Sequence, residues 1–469
     1  MSPIQTLISW HPVSRVGSNW RLIDLLKWAA RSGGCWLASH AEQPVGAGAI
    51  LTELSPEIDL LLATARAELE EADRVRLSAA VRRDPDWHGL IAAALAHGTA
   101  PFLCHHLLET VPEALPPDLA EAAAAHRAAA RQAFAAGEAE LLALIAALAR
   151  AGIEALPFKG PSLARQAYGP AAASLRNFRD LDLLIRSRDA DRCLSALSQL
   201  GFRSPVADLN PATLAAYRAH NGQDILFAEA DVQHLPVEPH WAFAPRNFGT
   251  RLEPDALWPR AVTLCLEEDA TLRTLSPEDA LLVAALHGGK EQWARLIWVA
   301  DVAALLRRCG DGLDWDQVTQ RAGQAGLQRM LLLAVALAED LLGLVSLPPT
   351  LRRQMAADRV CQGLVATARA RLLARPDEAE WGEPSVFRPS RFIWQAHDAL
   401  PARLRYLAGT LTAVRPHHFR LLTLPPALFF AYPFVRLAHD YLALPLWRAG
   451  KAVLRHDRSG DATAERRAG

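Results

Sequence analysis

Two aspartates separated by one residue are the most informative feature of this sequence. Asp180 and Asp182 flank Leu181, and the alternation of apolar residues continues through Leu183 and Ile185. Alternate side chains of a β-strand point to opposite faces, so the apolar residues share one face and both aspartates share the other. Carboxylates spaced by roughly 6.5–7 Å along a strand can together bind one or two Mg²⁺ or Mn²⁺ ions, which accept oxygen ligands. The pattern therefore predicts a metal site on a strand.

The residues ahead of the aspartates predict a strand, a tight turn and a helix that would position them. Residues 153–158 are typical of a short buried strand, and Lys159 and Gly160 follow it. A glycine allows a sharp turn and a close approach of the backbone to a ligand. The proline after it suits the first turn of a helix, which we expect to end near Tyr168. Backbone N–H groups at the start of a helix, together with the Ser162 hydroxyl, could donate to phosphate oxygens.

This block resembles the signature of the nucleotidyltransferase superfamily that includes DNA polymerase β. It is more closely similar to a bacterial group known as uncharacterised nucleotidyltransferases. Members of that group carry Lys-Gly, a small residue and Leu, then Arg, three residues and Asp-hydrophobic-Asp-Leu-Leu-Val. The matching positions here, in the same order and spacing, are Lys159, Gly160, Leu163, Arg176 and Asp180 to Leu184, with isoleucine replacing the final valine. The resemblance implies an α+β fold, with a polymerase-β-like core of a small mixed sheet flanked by N- and C-terminal helical regions.

The resemblance also implies a reaction. The protein would transfer a nucleoside monophosphate from a nucleoside triphosphate to a hydroxyl acceptor, with Mg²⁺ or Mn²⁺ held by the acidic residues. Gly160 and Ser162 would place donors on the phosphates. Lys159 or Lys290, together with Arg176, would offset the charge that develops on the phosphoryl oxygens. The resemblance allows a small molecule, a protein, a lipid-linked glycan precursor or tRNA as the acceptor.

A third carboxylate is expected on a neighbouring strand, because phosphoryl transfer needs a group that activates the attacking hydroxyl. Family members carry Asp-Leu-His-Trp in such a strand, and Glu238, Pro239, His240 and Trp241 align with it. Glutamate replaces aspartate, and the proline lacks a backbone donor, which suits an edge strand or a bulge. We assign Glu238 as catalytic base and metal ligand, with Asp231 as the alternative base. We expect His240 to be a structural histidine more than a catalytic one.

A helix further along the chain carries two more candidate residues. Ser276, a proline and Asp279 together form a strong helix start. His287 and Lys290 lie three residues apart, so they share one face of this helix. By the same resemblance, Lys290 would meet the triphosphate with His287 nearby. Asp301 is expected to pair with an arginine or cap a turn rather than to contact substrate.

Composition sets the class of protein. The chain of 469 residues is 51% hydrophobic, which is enough to bury a large core in two or three packed units. A net charge of −1 gives no strong signal for nucleic-acid binding. Its six scattered cysteines argue against both a zinc site and a disulfide framework, and fit a reducing cytoplasm.

The pattern of helices, strands and breaks predicts five regions along the chain. These are an N-terminal extension (1–55), a helical lead-in (56–151), the nucleotidyltransferase core (152–250), a C-terminal helical region (251–375), and a C-terminal extension (376–469) with a disordered tail. Within the lead-in, residues 87–108 and 117–150 are the clearest helices.

One apolar segment of the C-terminal extension admits two interpretations. Residues 421–435 carry no charge and lie between Arg420 and Arg436. The segment is shorter than the roughly 20 residues that span a bilayer, and prolines interrupt it. It could rest on the inner face of a membrane, or it could cover the core of the protein. We favour the packing interpretation.

Two other functions remain open from the sequence. A glycosyltransferase could use Asp180 and Asp182 to bind a metal and a sugar diphosphate, although a Lys-Gly turn ahead of the acids is unexpected there. A non-catalytic protein could keep the fold and bind nucleotides without turnover. The replacement of Asp-Leu by Glu238-Pro239 is the main support for that alternative.

Overall fold

A computed structural model describes residues 54–228, 234–246, 248–266, 270–343, 347–374 and 389–443. Nearly all of the predicted N-terminal extension, the alternative base Asp231 and the predicted disordered tail lie outside the described residues. The described part combines many helices with small sheets, in agreement with the α+β expectation.

Five helices make up the N-terminal part. They are α1 (Pro56–Thr64), α2 (Glu71–Val81), α3 (Trp87–His97), α4 (Ala100–Thr110) and α5 (Pro117–Arg150). The helix predicted over residues 117–150 is confirmed as α5. The single helix predicted over residues 87–108 is wrong, because the chain breaks at Gly98. Its φ of 74° is left-handed, a conformation that glycine adopts without steric cost and that ends a helix.

The long helix α5 is apolar enough to be compared with a membrane span. Among the described residues it is the one helix whose length and composition would allow it to cross a bilayer. A buried residue nevertheless recurs every three or four positions from Leu119 to Leu148, which is the stripe of a helix packed on a core. Glu138 binds Arg165 at 2.6 Å, and Glu140 accepts the backbone N–H of Leu235 at 3.0 Å. We therefore interpret α5 as a packed helix that supports the sheet.

Within the described residues, seven short strands form three sheets. The strands are β1 (Ala155–Pro157), β2 (Leu181–Ile185), β3 (Phe202–Arg203), β4 (Phe227–Ala228), β5 (Val237–His240), β6 (Val262–Cys265) and β7 (Thr271–Thr274). The central sheet has the order β1-β2-β5, while β3 pairs with β4 and β6 pairs with β7. Strand β1 runs antiparallel to β2 and β5 runs parallel to it, so the central sheet is mixed. Strand β5 ends this three-strand order, but Gln223 and Leu226 bridge its outer side, so the edge position predicted for it holds only in part.

The central sheet lies between two hydrophobic clusters. Leu184 joins the larger cluster, whereas Leu181, Leu183 and Ile185 belong to a second one beneath the other face. Helix α7 (Ala190–Gln199) contributes to this second cluster. Because both faces are covered, β2 is held rigidly at the position from which its acidic side chains extend.

The turn after β1 begins helix α6 (Gly160–Ala172). Gly160 has a φ of 55°, and a Cβ atom there would lie 3.4 Å from the carbonyl oxygen of Asp180. The turn therefore touches the start of the aspartate motif. The helical geometry breaks at Gly169, with φ 74° and ψ 173°, so the predicted end near Tyr168 is confirmed.

Helices again dominate after residue 210. They are α8 (Pro211–Asn221), α9 (Pro277–Lys290), α10 (Leu296–Cys309), α11 (Trp315–Ala325), α12 (Gln328–Leu342), α13 (Pro349–Ala357) and α14 (Arg359–Leu372). The predicted start of α9 is confirmed, because the Ser276 side chain accepts the N–H of Asp279 at 3.2 Å. Helix α9 packs against α10, α11 and α12 as part of the main core.

The described part of the C-terminal extension contains four helices. They are α15 (Arg391–Ala396), α16 (Leu400–Thr412), α17 (Pro416–Leu421) and α18 (Tyr432–Ala438). Tyr432 is buried, but Phe430 is 70% exposed and Phe434 is 66% exposed. Tyr432 joins a hydrophobic cluster with Phe419, and Phe429 packs against it, so the packing interpretation of residues 421–435 is confirmed for these side chains. It is wrong for Phe430 and Phe434, because neither faces the core.

Helix α5 lies close to the loop before Asp180 at Gly137. A Cβ atom there would lie 2.5 Å from the Phe178 ring, two residues before Asp180. We expect Gly137→Ala to lower the free energy of unfolding, because overpacking costs about 1–3 kcal/mol and exceeds the roughly 1 kcal/mol gained in helix propensity. Urea denaturation followed by circular dichroism would measure the change.

Gly323→Ala provides the matched control for this substitution. Gly323 lies in α11, and no atom lies within 4 Å of the position that its added methyl group would take, so only the helix propensity should change. We expect this variant to gain up to about 1 kcal/mol. Equal gains in both variants would show that α5 does not constrain the Phe178 loop.

Candidate active site

Parallel pairing of β2 and β5 brings the two acidic motifs together. In the register of the two strands Asp182 lies opposite Glu238, and Leu184 lies opposite His240. Asp180 lies one residue ahead of β2 and is half-buried. Pro239 does not displace this register, because Leu183 lies opposite it within the same ladder. The third carboxylate predicted on a neighbouring strand is thus adjacent to the aspartates.

Asp182 is the centre of the site. Its side chain is almost completely buried and accepts from Lys159 Nζ at 2.8 Å and from His240 Nε2 at 3.1 Å, both at Oδ1. The other oxygen, Oδ2, is buried and has no hydrogen-bond partner among the described residues. A buried carboxylate oxygen without a donor is energetically costly, so this atom is poised for a ligand.

The charges of the site perturb one another strongly. Burial alone would raise the pKa of Asp182, but Lys159 and His240 outweigh burial and hold this pKa well below its usual range. Burial, Asp182 and Glu238 together raise the pKa of Asp180 to about 7. Burial would lower the pKa of Lys159, yet Asp182, Asp180 and Glu238 outweigh it and raise that pKa. The site therefore carries an excess of negative charge that Lys159 only partly offsets.

These observations fit a bound cation. Donor atoms of Asp182, Glu238 and His240 lie within 4.8 Å of one another, a spacing that allows one ion to be shared. The orphaned Oδ2 of Asp182 and the raised pKa of Asp180 are both expected where a cation is the missing partner.

His240 is the residue whose place in the site differs most from our sequence interpretation. We expected a structural histidine, and it does donate to Asp182, but its Nε2 is also 3.5 Å from Glu238 Oε2. Both carboxylates act through hydrogen bonds to raise the pKa of His240 against the lowering effect of burial. The signal was present in the sequence, since Glu238 and His240 are two residues apart on the strand face that bears the acids.

Helix α9 brings one of its two candidate residues, His287, close to the same site. Burial is the main cause that lowers the pKa of His287, and the charges of Lys159 and Lys290 lower it further. The His287 ring packs edge-on against Trp298, with 5.2 Å between ring centroids. Lys290 Nζ lies 3.5 Å from Glu291 Oε1. His287 interacts electrostatically with Asp182 and Lys159, so the last turn of α9 lies near the acidic strands, while Lys290 is paired with Glu291.

Two predicted phosphate contacts are occupied within the protein. Arg176 is buried and forms a two-pronged ion pair with Asp301, with both N–O distances at 2.9 Å, and Tyr168 donates to the same carboxylate at 3.0 Å. The pairing expected for Asp301 is confirmed. The Ser162 hydroxyl has no exposed surface and donates to the Lys159 carbonyl at 2.9 Å. Both side chains are therefore engaged in contacts within the protein.

The arrangement can hold a cation between acidic side chains, with Lys159 beside them. Carboxylates from two adjacent strands supply oxygen ligands, and Lys159 supplies positive charge for an anionic substrate. Such a set suits phosphoryl transfer, in which the protein mainly positions groups and offsets charge.

Comparison with known proteins assigns the chain to a family. A search of curated proteins finds no match. The family model described as "Uncharacterised nucleotidyltransferase" matches residues 83–343, which are 261 of the 469 residues and contain every site residue named above. The chain therefore belongs to the uncharacterised nucleotidyltransferase family and is a nucleotidyltransferase enzyme.

Proposed function

We propose that the protein transfers a nucleoside monophosphate from a nucleoside triphosphate to a hydroxyl acceptor in a reaction that depends on Mg²⁺ or Mn²⁺. The observation that carries this proposal is the juxtaposition of Asp180, Asp182 and Glu238 beside Lys159. Membership of the nucleotidyltransferase family supports the triphosphate as donor. The mixed three-stranded sheet with a glycine turn ahead of the acids supports a polymerase-β-like core.

In the proposed reaction Glu238 accepts the proton of the acceptor hydroxyl. The freed oxygen attacks the α-phosphorus, a new phosphorus–oxygen bond forms, and the bond to pyrophosphate breaks. A metal held by Asp180, Asp182 and Glu238 would supply electrostatic stabilisation of the phosphoryl oxygens. Lys159 and Lys290 offset the charge that develops during transfer.

For Arg176, Ser162 and Gly160 we propose roles that differ from those expected from the sequence. Because Arg176 is paired with Asp301, we propose that it positions the strand β2 region rather than contacting phosphate. Because the Ser162 hydroxyl closes the turn on Lys159, we propose that it holds Lys159 in place. Gly160 allows the close approach of that turn to Asp180.

Nucleotidyl transfer is favoured over the two alternatives left open by the sequence. The family match names nucleotidyltransferases, and it covers the acidic motifs that a glycosyltransferase would use. Loss of catalysis was suggested by Glu238-Pro239, yet the strand keeps its register and Glu238 lies beside Asp182.

Removal of the Asp180 charge should abolish transfer. We expect Asp180→Asn to reduce label transfer from α-labelled nucleoside triphosphates by at least about 100-fold, because a metal ligand acts on the phosphoryl charge. The assay contains Mg²⁺ or Mn²⁺, each nucleotide in turn, and extract fractions that hold small molecules, proteins, glycan precursors or tRNA. The fraction that becomes labelled identifies the acceptor class.

Glu121→Gln is the matched control, because Glu121 is an exposed carboxylate on α5. It should retain full transfer. Equal labelling by the native protein and Asp180→Asn would contradict the proposed role of the acidic motif. Nucleotide binding without labelling of any fraction would favour the non-catalytic alternative.

The raised pKa of Asp180 predicts a stability change with pH. Its pKa is about 7 in the folded protein and 3.8 ordinarily, so the unfolded chain loses this proton first as the pH rises. The free energy of unfolding of the native protein should therefore fall between pH 5 and pH 8 relative to Asp180→Asn. Urea denaturation of both proteins would measure the difference.

At pH 8, saturating Mg²⁺ should reduce the difference in free energy of unfolding between the native protein and Asp180→Asn, since a bound cation offsets the repulsion among the carboxylates. If the two proteins differ in free energy of unfolding by the same amount at pH 5 and at pH 8, with or without Mg²⁺, then the charged form of Asp180 is not destabilised by its acidic neighbours.

We also propose that residues 421–442 contact the surface of a membrane, which would bring a cytoplasmic enzyme to the inner face. The exposed apolar side chains of this segment are Leu421, Leu422, Leu428, Phe430, Phe434, Tyr441 and Leu442. Residues 444–456 contain three basic side chains and no acidic one, which complements anionic lipid. An apolar, aromatic surface followed by basic residues is typical of interfacial binding.

The double variant Phe430→Ser, Phe434→Ser tests this contact. We expect the native protein to float with vesicles of phosphatidylglycerol and phosphatidylcholine, and the variant to lose at least about half of its bound fraction, since each buried phenyl ring contributes roughly 1.5–3 kcal/mol. Leu200→Ser, at an exposed leucine after α7, is the control. Equal flotation of all three proteins would contradict the assignment of this surface.

A further inference from the structure

A second group of metal-ligating side chains lies far along the chain from the proposed active site. His417 and His418 belong to α17, and His439 and Asp440 directly follow α18. One donor atom from each of these four residues lies within 4.8 Å of the others. The group lies beyond the residues matched by the nucleotidyltransferase family. Our cysteine-based expectation that no zinc site exists did not consider this donor set.

The donors converge on a single carboxylate oxygen. Asp440 Oδ1 is 2.8 Å from His439 Nδ1, 3.1 Å from His418 Nε2 and 3.7 Å from His417 Nε2. Ligands bound tetrahedrally to Zn²⁺ at about 2.0–2.1 Å are themselves separated by roughly 3.3–3.4 Å. The observed distances bracket that separation, so an ion fits among the donors with small adjustments.

His418 does not have a free lone pair for a metal. Its Nδ1 accepts the backbone N–H of Arg415 at 3.0 Å, so this hydrogen bond assigns the proton of the neutral ring to Nε2. That N–H donates to Asp440. His418 is fully buried and thus orients the carboxylate, which is the ordinary arrangement of a group that supports a metal ligand.

The second oxygen of Asp440 has its own partner. Arg436 is buried and lies with Nε 3.5 Å from Oδ2, and it also donates to the carbonyl oxygen of Ala413. Oδ1 therefore faces the histidines while Oδ2 faces the guanidinium. In this arrangement His439 Nδ1 lies at hydrogen-bond distance from Oδ1, so to bind a metal through Nδ1 the neutral ring would carry its proton on Nε2 instead.

We propose that His417 Nε2, His439 Nδ1 and Asp440 Oδ1 form a binding site for a divalent transition-metal ion of the Zn²⁺ type. Two imidazoles and one carboxylate suit Zn²⁺, Co²⁺ or Ni²⁺ better than Mg²⁺, which favours oxygen ligands alone. His417 is 44% exposed and His439 is 30% exposed, so the ion has an entry path and a fourth position open to water.

Such an ion would connect two segments on either side of the exposed apolar surface. His417 precedes residues 421–435, and His439 and Asp440 follow them. Bound metal would close this stretch of chain into a loop and thereby reduce its freedom to rearrange. The bound ion would hold the segment that carries the exposed side chains of Phe430 and Phe434 in one conformation. This effect does not depend on nucleotidyl transfer.

Cobalt titration of the full chain tests the proposal directly. The protein is stripped with a chelator, dialysed, and titrated with Co²⁺ in excess Mg²⁺, which competes with Co²⁺ for the carboxylates of the proposed active site. We expect one equivalent to produce a visible absorption band of nitrogen- and oxygen-bound Co²⁺, and Zn²⁺ to displace it. His417→Ala and His439→Ala should each lose this band, with their far-ultraviolet circular dichroism unchanged.

Two further variants distinguish the proposed metal ligands from a histidine that only orients a ligand. His418→Gln should keep the band but bind Co²⁺ roughly 10–100-fold more weakly, because it alters a partner of the carboxylate and not a ligand. His105→Ala, a half-buried histidine on α4, should bind as the native protein does. No saturable band in the native protein, or equal bands in the native protein, His417→Ala and His439→Ala, would overturn the proposal and leave a hydrogen-bonded histidine cluster only.

Discussion

The mutual repulsion of three carboxylates is the constraint on which the rest of the site depends. Strand pairing holds Asp182 beside Glu238, and the turn from Gly160 approaches Asp180. Lys159 offsets part of this repulsion, since its Nζ lies 2.8 Å from Asp182 Oδ1. Like charges that lie close together lower the free energy of unfolding. Proteins keep such clusters mainly at functional sites, so this cluster indicates a functional site.

The surrounding fold makes this arrangement rigid. Apolar clusters cover both faces of the central sheet, and α5 supports the loop before Asp180 through the contact of Gly137 with Phe178. The buried pair of Arg176 with Asp301 ties that loop to α10. A substrate that carries its own charges would therefore meet a site whose groups need little rearrangement, which is the basis of electrostatic preorganisation.

Local patterns predicted much of this architecture, and interactions distant in sequence explain what they missed. Alternation identified β2, and the Ser276 cap identified α9, because both depend on neighbouring residues. The resemblance led us to expect that the strand bearing Glu238 neighbours β2. The contacts of His240 with Asp182 and Glu238 depend on the register of the two strands, which the sequence alone does not reveal. Likewise Arg176 matched a family pattern as a phosphate contact, whereas its partner Asp301 lies 125 positions away.

The most direct measurement is a crystal structure of the protein with Mn²⁺ and a nucleoside triphosphate analogue whose α–β bridge resists cleavage. Anomalous scattering locates the ion without regard to the chemistry that follows. We expect a peak coordinated by Asp182 and Asp180 and by phosphate oxygens, with Lys159 moved from Asp182 toward the triphosphate. Nucleotide bound elsewhere, or a site with Lys159 still on Asp182 and no ion among the carboxylates, would contradict the central claim.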